Sequence, residues 1–208
     1  MSTPKAKLLV TADEYLTFER KAEERHEWRD GVIYEMAGES PQHSMICSNV
    51  NASFNLQLRG RPCATFSPNM KIRSRVKPEA KLKGLFSYAD TMIVCGEPQF
   101  HDKYQDVITN PTVIVEVLSD STKGYDRDEK FDRYAQNPSL KDYILIAQDR
   151  PKIELFSRRE NGHWDYCCET SLEGRLHIDS IACDLFLAEV YDRIKFESGE
   201  EAQDSDAE

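Results

Sequence analysis

The 208-residue sequence has no long apolar run. A membrane-spanning helix needs about 20 predominantly apolar residues, and a secretory signal needs an apolar core that the first residues lack. The sequence therefore predicts a cytoplasmic protein with no membrane partner.

The ligand spacings of a structural zinc site are also missing. None of the six cysteines forms a C-x-x-C motif, and no histidine pair has zinc spacing. The even count would allow disulfides, but Cys47 and Cys95 lie in apolar stretches, where a free cysteine behaves as a small hydrophobic residue. We expect reduced thiols rather than a disulfide framework, with the adjacent Cys167 and Cys168 in a strand.

Positive charge is scarce, since 27 basic residues face 37 acidic ones and the net charge is −10. This balance argues against a protein that binds DNA by electrostatics alone. Residues 197–208 hold six acids and no base, which leaves 31 acids against 27 bases in residues 1–196. We predict one domain over 1–196 and a disordered acidic tail over 197–208. Acids of a metal site would account for part of the remaining excess.

Four helices are predicted. A capping box at Thr11 and Glu14 starts the first, and Ser40-Pro41 starts the second. Asp126 can cap a third, which extends to about residue 136, where Asn137-Pro138 ends it. The last covers about 185–194.

The predicted strands are short and separated by turn residues. They cover 32–36 after the Asp30-Gly31 turn, 69–76, 85–95, 112–118, 143–147, and a hairpin of 153–158 with 164–170. Strand 112–118, helix 126–136 and strand 143–147 make one β-α-β unit. The fold class is therefore α/β or α+β with a mixed sheet.

Two acidic residues interrupt apolar strand sequences. Glu116 stands in the middle of 112–118, and Asp90 lies within 85–94. A buried carboxylate is costly unless it is paired, hydrogen-bonded or bound to a metal. In adjacent strands the two carboxylates would repel each other, and a divalent cation would relieve that repulsion. Mg²⁺ suits such a site because it uses one or two carboxylates and keeps several waters.

The alternative is that each acid lies at a strand end or pairs with an arginine or lysine, since structural ion pairs also occupy such positions. In that case Glu116→Gln would change the stability but no ligand affinity. The sequence pattern alone leaves both interpretations open.

Lys130 borders the inward face of helix 126–136, which Tyr134 marks four residues later. An ammonium there could position an attacking water or stabilise the charge on a phosphate. A solvated lysine that pairs with Asp126 is the alternative. The competing side chains for this role are Lys123 and Arg127.

Several short motifs occur together and in one order. They are HEWRDG at 26–31, IYEM at 33–36, SPQH at 40–43, YAD at 88–90, IVEVLS at 114–119, YDRDEKF at 125–131 and YILI at 143–146. In this combination the chain resembles the bacterial Uma family of restriction-endonuclease-like proteins, within the PD-(D/E)XK nuclease superfamily. The resemblance covers about residues 11–194.

The resemblance implies a central mixed β-sheet flanked by helices and a metal-dependent endonuclease. Asp90 matches the aspartate of the motif and Glu116 matches its second acid. Together with the Val117 carbonyl they would hold Mg²⁺ or Mn²⁺. Ala89 replaces the proline of the motif, and Leu118 stands where the superfamily has its lysine. Lys130 would supply that lysine from the following helix.

Two further residues match recurring polar positions of the family. Glu27 could bind a second metal or a water on it, and a surface acid before a turn is the alternative. His43 could contact a phosphate from a helix N-terminus, and an ordinary first-turn histidine is the alternative.

The implied partner is DNA as the substrate, and a homodimer stays open because nucleases that cut both strands commonly work as dimers. The alternative function is a catalytically inactive nuclease fold that binds or regulates. The densest positive stretch is Lys71, Arg73, Arg75, Lys77, Lys81 and Lys83. These residues could follow a phosphate backbone, or they could guard a solvated edge strand.

Overall fold

The structure is a computed structural model that describes residues 9–74, 81–119 and 123–196. The helices are α1 (Ala12–Glu19), α2 (Pro41–Leu58), α3 (Lys123–Tyr125), α4 (Phe131–Tyr134) and α5 (Leu187–Val190). The strands are β1 (His26–Arg29), β2 (Val32–Glu35), β3 (Cys63–Phe66), β4 (Lys71–Arg73), β5 (Leu85–Tyr88), β6 (Thr91–Cys95), β7 (Val107–Ile108), β8 (Val113–Leu118), β9 (Asp142–Ala147), β10 (Ile153–Arg158), β11 (Trp164–Glu169), β12 (Arg175–Ile178) and β13 (Cys183–Phe186). The predicted tail 197–208 lies outside the described residues.

The strands form two larger sheets and a separate β12–β13 hairpin. The first sheet has the order β2-β1-β5-β4-β7, and the second has the order β11-β10-β9-β8-β6-β3. In the second sheet β8 and β9 are parallel neighbours, while the other neighbouring pairs are antiparallel. The predicted mixed sheet and β-α-β unit are therefore confirmed.

The second sheet is covered on both faces, and the alternation along β8 decides which residues meet which helix. Val113, Val115 and Val117 pack in the cluster that contains the apolar side of α2. Ile114 and Leu118 pack in the opposite cluster, with Tyr134. Because side chains alternate along a strand, Glu116 points to the Tyr134 side.

Local signals place the first three elements. Thr11 and Glu14 make the predicted capping box, in which the Glu14 carboxylate accepts from the Thr11 backbone N–H at 2.8 Å. Asp30 and Gly31, with φ of 46° and 86°, form the two-residue turn between β1 and β2. Ser40 caps α2 by accepting from the backbone N–H of His43 at 3.1 Å.

The third predicted helix begins earlier than expected. α3, a π-helical turn at Asp126–Lys130 and α4 follow one another without a break, and we call residues 123–134 the helical segment. Asp126 therefore does not cap the helix, because helical backbone already precedes it. π-Helical turns are rare and occur often at functional sites.

The predicted strand 85–95 is wrong as a single element. The chain runs along β5 in the first sheet, breaks at Ala89 and Asp90, and continues as β6 in the second sheet. Asp90 consequently lies at the junction of the two sheets rather than inside a strand. The apolar pattern was misleading because both strands are buried, so that apolar residues stand on either side of Asp90 and hide the change of sheet.

Further segments differ from the prediction. β1, β3 and β7 were not predicted as strands, and the end of the chain forms β12, β13 and the short α5 instead of one helix over 185–194. Cys183, Leu185 and Leu187 are buried at every second position, which is a strand period, and only the last turn is helical.

One pair of cysteines is oxidised, contrary to the prediction of reduced thiols. Cys63 of β3 and Cys95 of β6 are opposite each other in the antiparallel register and form a disulfide. The remaining four, Cys47, Cys167, Cys168 and Cys183, are free. Sequence position alone does not reveal the pairing, because it depends on which strands become neighbours.

Candidate active site

A cavity of about 380 Å³ opens where the first and second sheets meet. Its walls come from the sheet junction after β5, the end of β8, the start of α2 and the helical segment. All six residues that the sequence analysis selected line it: Glu27, His43, Asp90, Glu116, Val117 and Lys130. Residues from five separate parts of the chain therefore share one space.

Lys130 is a buried cation among carboxylates. Its Nζ lies 3.0 Å from Glu116 Oε1, 3.3 Å from Glu27 Oε1 and 3.4 Å from Asp126 Oδ1. The side chain is only 6% exposed, so the alternative of a solvated lysine is wrong, although the pairing with Asp126 is present. Asp126, which the sequence analysis treated as a helix cap, is itself a cavity residue.

The competing cations are placed elsewhere. Arg127 Nη1 donates to Glu154 Oε1 at 2.8 Å, which directs Arg127 away from the cavity and onto β10. Lys123 is exposed and does not line the cavity.

Glu116 is buried and hydrogen-bonded. The Tyr134 hydroxyl donates to Glu116 Oε1 at 3.1 Å and lies 2.9 Å from the Ser87 hydroxyl. Burial raises the pKa of Glu116 well above its usual value, and the charges of Asp126 and Asp90 add to this effect, whereas Lys130 opposes it. Burial acts to lower the pKa of Lys130, but Glu116 and Glu27 outweigh it and the pKa of Lys130 is raised. Burial is thus the main cause of the raised pKa of Glu116, whereas the surrounding carboxylates cause the raised pKa of Lys130.

Asp90 is bound to the end of β8. Its Oδ2 accepts the backbone N–H of Val117 at 2.6 Å and lies 3.3 Å from His43 Nε2. The same His43 nitrogen is 3.0 Å from the Val117 carbonyl oxygen. Burial acts to lower the pKa of His43, but Asp90, Glu39 and the Val117 carbonyl together raise it above its usual value.

Glu27 reaches the cavity from β1, and its side chain is 13% exposed. The buried Oε1 has no hydrogen-bond partner among the described residues, although it is near Lys130. The Tyr125 hydroxyl is 3.5 Å from Oε2. The alternative of a surface acid is therefore wrong for Glu27. His43 is a first-turn histidine of α2 that also lines the cavity.

Two features next to the cavity were not predicted from the sequence. Cys47 lies one turn after His43 on α2, with Sγ 3.5 Å from His43 Nδ1, and the His-x-x-x-Cys spacing was the available signal. Beside the cavity, the Arg29 guanidinium lies over the rings of two lining residues, Tyr34 and Tyr125, at 4.2 Å and 4.5 Å from their centroids. No short-range pattern connects those three residues.

The predicted positive stretch does not form an exposed row in its described part. Lys71 is buried against Asp106 at 3.1 Å, and Arg73 lies over the Phe86 ring beside His101. β4 is an inner strand, so the edge-strand alternative is wrong as well. Arg75 and Lys77 lie outside the described residues.

Comparison with known proteins supports the restriction-endonuclease-like class that the sequence motifs indicated. The family Uma2, described as “Putative restriction endonuclease”, matches residues 12–177. The chain belongs to this family. It is 33% identical over 187 residues to “Uncharacterized protein slr1290” of Synechocystis sp., covering 90% of this chain and 94% of the relative. It is also 33% identical over 156 residues to “Uncharacterized protein sll1609” of the same organism, covering 75% and 85%.

A solved structure has the same fold. It is the crystal structure of “a putative nuclease belonging to DUF820” from Anabaena variabilis ATCC 29413, with a TM-score of 0.72 and 13% identity over 89% of this chain and 99% of the other. The restriction-endonuclease-like fold class predicted for this Uma2 member is confirmed. Within the described ranges, no helix has both the length and the apolar character needed to cross a membrane.

Proposed function

We propose that this Uma2 protein is a metal-dependent endonuclease that hydrolyses phosphodiester bonds in DNA. The observation that carries the proposal is the cavity that holds Asp90, Glu116 and Lys130 together, with Lys130 Nζ 3.0 Å from Glu116 Oε1. Two acids and a lysine in one partly enclosed space are the groups that phosphodiester hydrolysis with a cation requires.

The residues present fit a hard divalent cation. Six acidic residues line the cavity, and four of them, Glu27, Asp90, Glu116 and Asp126, share it with the buried ammonium of Lys130. The excess negative charge favours a further cation, as does Glu27 Oε1, which forms an ion pair with Lys130 but accepts no hydrogen bond from a described residue. Oxygen donors select Mg²⁺ or Mn²⁺, with Asp90, Glu116 and the Val117 carbonyl as the ligands.

When bound, such a cation polarises the phosphate and lowers the pKa of a water molecule. The protein side chains supply the rest. Lys130 can stabilise negative charge on the phosphate or position the attacking water, and it is held in place by Glu27, Glu116 and Asp126. Tyr134 orients the Glu116 carboxylate, and the Val117 N–H orients that of Asp90.

The superfamily motif has a lysine two residues after the second acid. In this chain that position is Leu118, which is buried in the core. Lys130 of the helical segment instead reaches the Glu116 carboxylate, at 3.0 Å. Glu27 and His43 are accessory residues in this proposal. Glu27 fixes Lys130, and His43 bridges Asp90 and the Val117 carbonyl.

The test is cleavage of supercoiled plasmid DNA with Mg²⁺ or Mn²⁺ by the wild type, Asp90→Asn and Glu116→Gln. We expect each variant to lose at least about 100-fold in the cleavage rate, because each removes a metal-binding carboxylate. Asp142→Asn is the matched control, since Asp142 is a buried acid of β9 whose partners are Ser157 and Ser180, outside the cavity. Equal rates for wild type and Asp90→Asn would refute the assignment.

Calorimetric titration of Mn²⁺ separates the catalytic proposal from its alternative. The endonuclease is supported if the wild type binds Mn²⁺ and cleaves DNA, and if Glu116→Gln abolishes the binding. Binding without cleavage of DNA or RNA supports an inactive nuclease fold that binds or regulates, for which the net charge of −10 is the favouring observation.

A further inference from the structure

A thiol lies next to the oxygen-rich site that the proposed nuclease uses. Cys47 Sγ is 3.5 Å from His43 Nδ1, and His43 Nε2 is 3.3 Å from Asp90 Oδ2. One ligand atom each of His43, Cys47 and Asp90 lie within 4.8 Å of one another. The three residues come from α2 and from the junction of the two sheets, so the fold has already brought the groups together.

The separations and the chemistry of these atoms suit a tetrahedral cation. Zn²⁺ binds sulfur, nitrogen and oxygen at about 2.0–2.3 Å, so neighbouring ligand atoms lie roughly 3.3–3.8 Å apart. One imidazole nitrogen, the Cys47 thiol and one Asp90 oxygen lie within 4.8 Å of one another, so modest shifts of the side chains would bring the three ligand atoms to this spacing. A thiolate and an imidazole prefer Zn²⁺ over Mg²⁺, which requires oxygen ligands.

We propose that His43, Cys47 and Asp90 form a site for Zn²⁺ or a similar soft divalent cation, and that its occupation inhibits the nuclease. The site leaves a fourth ligand position for water. Inhibition follows because Asp90 would also be a ligand of the catalytic Mg²⁺, and this second half of the proposal rests on the proposed function. The competing explanation is that Cys47 only fills the apolar cluster between α2 and the second sheet.

The binding half is tested with Co²⁺, whose thiolate complexes absorb in the near ultraviolet. The full-length wild type is expected to give a sulfur-to-cobalt band that saturates at one equivalent and that Zn²⁺ displaces. Cys47→Ser and Cys47→Ala should abolish the band, and His43→Gln should weaken Co²⁺ affinity at least about 10-fold. Two substitutions of Cys47 are made so that at least one of them gives a folded protein for comparison with the wild type. Circular dichroism verifies the folding.

The control is a double variant, Cys167→Ser with Cys168→Ser, because these two exposed thiols are adjacent in β11 and could bind a soft metal on the surface. The double variant should keep the band. A band that persists in Cys47→Ala, or that disappears in the double variant, would overturn the proposed site.

The inhibition half is tested by adding Zn²⁺ to the Mg²⁺-dependent cleavage assay, with each protein normalised to its own rate without Zn²⁺. We expect Zn²⁺ to inhibit the wild type at concentrations at least 10-fold lower than those that inhibit Cys47→Ala. Equal inhibition of the two proteins overturns this half. Absence of any wild-type cleavage refutes the proposed function, while the cobalt band independently decides whether the site exists.

Discussion

At the level of single residues, the Tyr134 hydroxyl connects two buried polar side chains, those of Glu116 and Ser87. It lies 3.1 Å from Glu116 Oε1 and 2.9 Å from Ser87 Oγ. Both the ring and Glu116 are shielded from water. A buried acceptor that loses its donor costs more free energy than an exposed one, because no solvent replaces the bond.

Tyr134→Phe should therefore lower the free energy of unfolding by about 1–3 kcal/mol. The fold should remain intact, since the aromatic ring that packs near Tyr143 is preserved. Urea denaturation followed by circular dichroism measures the difference. Tyr104→Phe, on an exposed side chain, is the control. If both variants unfold at the same urea concentration as the wild type, the hydrogen bond from the Tyr134 hydroxyl to Glu116 does not stabilise the fold.

At the level of elements, the helical segment depends on its attachment to the second sheet. Arg127 donates to Glu154 of β10, and the Tyr143 hydroxyl of β9 donates to the Asp126 carbonyl at 2.8 Å. These bonds hold the π-helical turn, which carries Lys130, against the two strands. Arg127, a candidate for the catalytic role from sequence alone, serves in this attachment instead.

The attachment predicts a pH dependence of stability. Burial acts to raise the pKa of Glu154, but Arg127, Tyr166 and Lys152 lower it from 4.5 to about 2. Because the folded pKa is the lower one, Glu154 stabilises the fold fully above pH 4.5, and this contribution is lost as the pH falls toward 2. Glu154→Gln should cost roughly 1–3 kcal/mol at pH 7.

Urea denaturation of wild type and Glu154→Gln at pH 7 and pH 3 tests this prediction. The difference in unfolding free energy should narrow by about half at pH 3. The matched control is Glu160→Gln, on an exposed turn residue, which should show no such gap at either pH. If the difference in unfolding free energy between wild type and Glu154→Gln stays constant or widens toward pH 3, the ion pair of Glu154 with Arg127 does not stabilise the attachment.

At the level of the whole molecule, the Cys63–Cys95 disulfide restricts the unfolded chain. It joins the edge strand β3 to β6 across a sequence separation of 32 residues and encloses β4 and β5. A loop of this length contributes about 3–4 kcal/mol by the chain-entropy estimate. The free Cys47, Cys167, Cys168 and Cys183 close no loop.

Reduction should consequently lower the unfolding free energy of the wild type by about 2–4 kcal/mol, measured by urea denaturation with and without dithiothreitol. Cys63→Ser with Cys95→Ser should unfold like the reduced wild type and should not respond to the reductant. A wild type that unfolds identically in both conditions would show that the two strands are not crosslinked.

Much of the fold was predictable because its signals are local. The Thr11 capping box, the Asp30-Gly31 turn and the apolar run of β8 each depend on a few neighbouring residues, and the structure contains all three. The site residues were singled out for a related reason. Glu116 is conspicuous as an acid inside an apolar run, and the order of the motifs connected it with Asp90 and Lys130.

The sequence by itself thus determined the family, the mixed sheet and the acids to consider. Only the tertiary structure decided that the chain changes sheets at Asp90, that Lys130 rather than Arg127 enters the cavity, and that Cys63 meets Cys95. The physical reason is that burial and periodicity are recorded locally along the chain. Strand pairing and the direction of a side chain depend instead on contacts between residues that are distant in the sequence.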